Sequence, residues 1–120
     1  MAHERDQEQD CIFCRIAAGE FDTEFVYESD TVVAFDDLAP QAETHVLVIP
    51  RRHIASIAAV DRGHDSLLGE LVAAATSVAS DRKLNDSGYR LLTNHGPDAG
   101  QTVMHLHLHL LGGNALGPLG

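Results

Sequence analysis

Hydrophobic and polar positions follow two different periods along this chain. Residues 1–10 are almost wholly polar, with nothing to bury, and are expected to form a disordered N-terminal arm. Ile12, Phe13, Ile16 and Ala17 then recur at helical spacing with Gly19 at the stop position, which predicts a short helix over residues 11–18. The pattern next switches to strands: residues 25–28 and 31–35 around a Ser29-Asp30 turn read as a hairpin, and residues 44–49 as a further strand ended by Pro50. A helical stripe returns over residues 65–84, carried by Leu68, Leu71, Val72, Ala75, Val78 and Ala79, and predicts one long helix packed on a sheet. Two last strands follow, over residues 89–93 and 104–111.

The last strand alternates most regularly. His105, His107 and His109 interleave with Leu106, Leu108 and Leu110, so period two puts the imidazoles on one face and the leucines on the other. The order of elements predicts an α+β domain with an antiparallel sheet over residues 11–120, without internal repeats.

Composition narrows the function. Eight Lys+Arg against 18 Asp+Glu leave a net charge of −10 in 120 residues, which disfavours binding to nucleic acid or to an anionic membrane surface. No apolar run is long enough to span a bilayer and no signal-type segment is visible, so a soluble, cytoplasmic protein is expected. The two cysteines, Cys11 and Cys14, are too close in sequence to staple distant parts of the chain; in a reducing compartment C-x-x-C reads as redox or metal chemistry. The polar decapeptide before the pair argues against a thioredoxin-like site, which needs a preceding strand.

Neighbouring imidazoles on a strand, roughly 6.5 Å apart at the backbone, can converge on one metal ion or one phosphoryl group. Two reaction classes therefore stand open: metal ligation with attack by bound water, or direct attack by one imidazole. The Gly100-Gln101-Thr102 loop, with Gly96 and Asn94 before it, offers amide donors that can surround a phosphate without net positive charge. Thr102, three residues before His105, can place its hydroxyl beside a leaving group. A carboxylate of the Asp36-Asp37 pair can accept hydrogen bonds from ribose hydroxyls, or simply form a solvated turn. His45 reads as a packed or capping residue unless the fold brings it to the triad.

Taken together, Cys11 to Ile16, Val33 to Ala42, Thr44 to Pro50, Asn94-His95-Gly96, Gly100 to Val103 and His105 to His109 resemble the histidine triad (HIT) family. Within it they are most similar to the Hint-like branch of nucleoside phosphoramidate hydrolases. The resemblance implies a homodimer with about five antiparallel strands, one long and one short helix per subunit, and a purine nucleotide substrate. It implies that His107 is the nucleophile on the α-phosphorus, that His109 contacts the phosphate, that Thr102 donates to the leaving amine and that His45 is the outer histidine of a proton relay. Asp37 would hold the ribose, Phe13, Ile16, Phe35 and Leu38 would enclose the base, and Asn94, Gly100 and Gln101 would line the phosphate side. Retention of the Cys pair further implies a structural Zn2+ on Cys11, Cys14, His53 and His105. That set requires the triad strand to begin or twist near His105, so that His105 and His107 can serve different sites. Neighbouring chemistries, dinucleoside polyphosphate hydrolysis, nucleotidyl transfer, zinc-dependent hydrolysis on the triad, or regulatory nucleotide binding, stay open at this level. The tail lacks the tryptophan of eukaryotic Hint proteins; Asp36 and His95 receive no role, and His3 and His64 read as solvated loop residues.

Overall fold

The computed structural model describes residues 10–119. The predicted arm therefore lies, Asp10 apart, outside the described residues, and so does His3. The elements are α1 (Ile12–Ala17), β1 (Tyr27–Glu28), β2 (Val32–Asp36), β3 (Thr44–Pro50), α2 (Asp65–Asp81), β4 (Tyr89–Leu92) and β5 (Leu108–Gly112), with short 3-10 turns between them. The strands form one five-stranded antiparallel sheet in the order β1-β2-β3-β5-β4, the α+β architecture predicted. No helix among the described residues is long and apolar enough to cross a membrane.

The sheet is covered on both faces, which explains why β3, at its centre, is an unbroken buried run. Val46 and Val48 point to one side, where they meet Leu71, Ala75 and Val78 of α2 and the leucines Leu106, Leu108 and Leu110. Leu47 and Ile49 point to the other, where they pack with Phe13, Cys14 and Ala17 of α1 and with Val33 and Phe35 of β2. A helix of six residues has little stability of its own, and α1 is held from both ends. Cys11 caps it by accepting the Cys14 backbone N–H at 3.3 Å. Arg51, just after β3, donates to the Ala17 carbonyl at 2.9 Å while also reaching Ser29 and Glu28 of the hairpin.

Several boundaries and one face differ from the sequence expectation. Helix α2 stops at Asp81 rather than 84, and its buried stripe is Leu67, Leu71, Ala74, Ala75, Val78 and Ala79, whereas Val72 is 47% exposed. The doubled pairs Leu67-Leu68 and Leu71-Val72 leave the phase of the stripe ambiguous by one residue, and packing on β2 and β3 selects the first of each pair. His64 is buried, not solvated: it closes a capping box with Asp61, accepting the Asp61 N–H on Nδ1 at 3.0 Å. The triad strand pairs only from Leu108 onward, with a bend at residues 103–105 ahead of it.

Candidate active site and metal centre

The bend before β5 divides the three histidines among different surroundings. All three remain on the α1 side of the sheet, with Leu106, Leu108 and Leu110 beneath. The Phe13 ring stands edge-on between the first two, 5.9 Å from His105 and 5.1 Å from His107 by ring centroids. His107 and His109 are neighbours at 5.0 Å.

His107 and His109 line a cavity of about 400 Å3 together with Phe13, Ile16, Phe35, Asp37, Leu38 and Thr102, a size usual for small-molecule sites. Eight of the predicted site residues are thus brought together. Leu38 is at the rim, wholly exposed. Asn94, Gly100 and Gln101 do not line this cavity. Gln101 is buried, and its amide is spent on the chain: Nε2 donates to the Ala55 and Val103 carbonyls at 3.0 Å each, and Oε1 accepts the Gly96 N–H at 3.0 Å. It braces the loop that carries Thr102 and presents no donor to a phosphate from its side chain. Ile12, Thr23, Asp36, Leu47 and Val103 complete the walls. Leu47 could have been found from pairing, since it lies opposite Phe35 in the β2–β3 register; Thr23, in an irregular stretch, carried no signal.

The hydrogen bonds set the tautomers, because a carbonyl can only accept and a backbone N–H can only donate. The His107 Nδ1–H donates to the His105 carbonyl at 2.6 Å, which leaves the lone pair of the neutral ring on Nε2. Behind the cavity, Gln41 N–H donates to His45 Nδ1 at 3.0 Å, so His45 carries its proton on Nε2. That proton faces His109 Nδ1 at 2.9 Å and Asp37 Oδ2 at 3.5 Å. His109 accordingly accepts on Nδ1 and holds its own proton on Nε2, as a donor. Burial lowers the pKa of His109 to about 4, with His107 and His45 adding to the effect and Asp37 opposing it. Burial likewise lowers that of His45, against the pull of Asp37. Asp37 is itself fixed by an Asx turn, accepting the Ala39 N–H at 2.9 Å.

His105 belongs to a second centre. Cys11, Cys14, His53 and His105 are all buried and bring one ligand atom each within 4.8 Å of the others. Cys11 Sγ is 3.2 Å and Cys14 Sγ 3.5 Å from His105 Nδ1, and Cys14 Sγ is 3.4 Å from His53 Nδ1. A tetrahedral zinc with ordinary Zn–S and Zn–N bonds would hold S and N roughly 3.5 Å apart, close to these three distances, so the donor set suits a metal ion. His105 Nε2–H donates to the Pro50 carbonyl at 2.9 Å, which turns the Nδ1 lone pair toward the sulfurs, as an outer partner does for a metal-binding histidine. Asp37, His45 and His109 also cluster within 4.8 Å, but the 2.9 Å separation of the two imidazoles there is that of a shared proton. His105 and His109 therefore fall in different groups and His107 in neither, an arrangement unsuited to one metal held by the triad.

Two residues without a predicted role are structural partners: Asp36 makes a two-pronged ion pair with Arg82 at 2.9 and 3.0 Å, and His95 Nδ1 contacts Ser56 Oγ at 2.8 Å.

Comparison with known proteins agrees with this geometry. The HIT domain matches residues 18–116. The chain belongs to the HIT family. It is 40% identical to the purine nucleoside phosphoramidase of Escherichia coli K12 over 111 residues, covering 92% of this chain and 93% of that protein. It is 45% identical to an uncharacterised HIT-like protein of Synechococcus elongatus over 108 residues, 90% of this chain and 94% of that one. Among solved structures, a HIT family hydrolase from Clostridium thermocellum superposes with a TM-score of 0.90 at 42% identity, covering 94% of this chain and 98% of that one. A histidine triad protein from Clostridium difficile also gives 0.90, at 37% identity, covering 95% and 99%. The histidine triad resemblance read from the motifs is thereby borne out, and this HIT chain shares the family's fold from α1 to the end of β5.

Proposed function

We propose that this HIT protein is a hydrolase of purine nucleoside 5′-phosphoramidates, working through a covalent nucleotidyl-His107 intermediate. The observation that carries the reading is the pair of opposite tautomers: a lone pair on His107 Nε2 beside a donor on His109 Nε2, in one cavity. The name of the E. coli relative supports the substrate class. His107 Nε2 attacks the α-phosphorus, forming an N–P bond as the P–N bond to the amine breaks. The Thr102 hydroxyl donates to the departing nitrogen, and the His109 Nε2–H to a phosphoryl oxygen as charge builds there. Water then attacks the same phosphorus, releasing the nucleoside monophosphate and restoring the His107 lone pair. Asp37 serves the ribose, and Phe13, Ile16 and Phe35 supply an apolar slot for the base.

Cys11, Cys14, His53 and His105 would hold a structural Zn2+, tying α1 to the end of β3; a closed four-ligand set has no open position for water. Cys11 and Cys14, whose sulfurs face His105 and His53 and form no disulfide, suit a reducing, cytoplasmic setting. A homodimer built on α2 and the edge strand β4 is favoured by the exposed apolar Val72 and Tyr89 on those elements.

The test is release of AMP from an adenosine phosphoramidate, with mass analysis of the protein under acid quench. Wild type should carry one nucleotidyl group on His107 and His107→Asn should lose several orders of magnitude in rate. Equal rates would sink the covalent mechanism, and faster turnover of a diadenosine polyphosphate would reassign the substrate.

A further inference from the structure

We propose that His105 is a positioning residue that makes alignment of the His107 nucleophile depend on the state of the buried Cys11, Cys14, His53 and His105 cluster. The nucleophile lies ahead of the paired part of β5, which begins at Leu108, so ladder hydrogen bonds do not hold it. What holds it is a set of individual tethers. Thr93 Oγ1 donates to the His107 carbonyl at 2.7 Å, and Leu106 N–H to the Ile54 carbonyl at 2.6 Å. The proton of the ring is placed by a hydrogen bond from its Nδ1–H to the carbonyl of His105.

That carbonyl belongs to a residue whose side chain is clamped at both nitrogens. Nε2 bonds Pro50 and Nδ1 faces the two sulfurs, with the residue wholly buried. Rotation of the His105 peptide would break the tautomer lock on His107 and free its ring to place a proton on Nε2, where it can no longer attack. A second tether runs in parallel. Cys11 and Cys14 cap and carry α1, whose Phe13 ring stands edge-on to His107 with an interplanar angle of 90°. Both routes from the cluster to the nucleophile pass through residues that touch the ring of His107 or set its proton; the one through Phe13 also meets Phe35 edge-on at 5.8 Å, whereas the one through the His105 carbonyl ends on His107. Through the His105 carbonyl, the cluster should therefore govern the chemical step.

The inference rests on His107 being the nucleophile, but its primary readout does not. Protein labelled with 15N-histidine is compared loaded with Zn2+, stripped by a chelator, and as Cys14→Ser, with long-range proton–nitrogen spectra reporting the His107 tautomer. Loaded protein should show one Nδ1–H tautomer, and stripped protein a mixture. Single-turnover transfer from an adenosine phosphoramidate to His107 should slow on the order of tenfold to a hundredfold on stripping, as for a sub-ångström misplacement of a reacting group. An Nε2–H tautomer in loaded protein overturns the inference, as does an identical tautomer and rate in folded stripped protein. If stripping unfolds the chain, loading folded protein with Cd2+ or Co2+ replaces that arm, and transfer rates equal to those with Zn2+ overturn it. Absence of any adduct in loaded wild type would instead count against the proposed reaction, with the spectra still deciding the tautomer link.

Discussion

At the scale of single residues, this site separates three imidazoles by the hydrogen bond each makes on its far side. The His105 carbonyl accepts the His107 Nδ1–H, which keeps the proton there and frees Nε2; His45, whose own Nδ1 is occupied by Gln41 N–H, does the reverse for His109 by donating to its Nδ1. Replacing His45 by Ala removes the donor that fixes His109, which can then turn its lone pair toward the phosphate. The expected result is a fall in kcat on the order of tenfold to a hundredfold with KM nearly unchanged, measured by steady-state AMP release; an unchanged kcat would remove His45 from the relay. The histidines, cysteines and Asp37 that the fold groups together could be singled out in the sequence because His, Cys and an Asp after a strand are unusual choices for packing. Gln101 could not, because its amide is consumed by Ala55, Gly96 and Val103, partners that only the folded loop assembles. Gly96 has φ +83 and ψ 172, a conformation almost restricted to glycine. Gly96→Ala should cost about 1–3 kcal/mol in urea unfolding and loosen the Thr102 loop with it.

At the scale of elements, α2 works as a backing plate and α1 as part of the site. Leu71 is wholly buried against the sheet while Val72, next in the chain, is 47% exposed. Leu71→Ala should therefore cost about 2–5 kcal/mol by cavity formation; Val72→Ala, as a monomer, should fall within about 0.5 kcal/mol of wild type. Urea denaturation of the two variants checks the helix phase directly. The periodicity predicted a helix here but not its rotation, since residues 67–68 and 71–72 are both apolar pairs and either can face inward. The register of β5 was similarly half legible: alternation put the histidines and leucines on opposite faces, as found, but the loss of pairing before Leu108 follows from the His105 side chain turning to the cysteines. The Arg82 to Asp36 ion pair joins the end of α2 to the end of β2, one residue before Asp37. Being exposed, it should add under about 1 kcal/mol to stability.

At the scale of the whole molecule, two sites share one wall of the sheet. If the Cys/His cluster holds the proposed Zn2+, chelation should lower the melting temperature, because α1 is anchored through Cys11 and Cys14; a ligand present at a thousand times its Kd contributes about 4 kcal/mol. An unchanged melting curve on chelation would argue against a folded-state metal. Acid acts on the other site. His109 is held neutral by burial, its pKa lowered to about 4 from the ordinary 6.5. Between those values the unfolded chain binds a proton at this residue that the folded chain refuses, so stability rises with pH across that window. Its contribution is complete above pH 6.5, is lost as pH falls toward 4, and is constant below. His45, lowered in the same sense, adds to the slope. Since His105 is lowered in the same sense by burial, the informative quantity is a difference between proteins. Urea midpoints for wild type and His109→Gln, taken at several values from pH 7 to 4.5, should converge as the pH drops, because only the wild type carries the His109 penalty. Parallel pH dependences in the two proteins would mean that His109 protonates as easily folded as unfolded, and that burial does not hold it neutral.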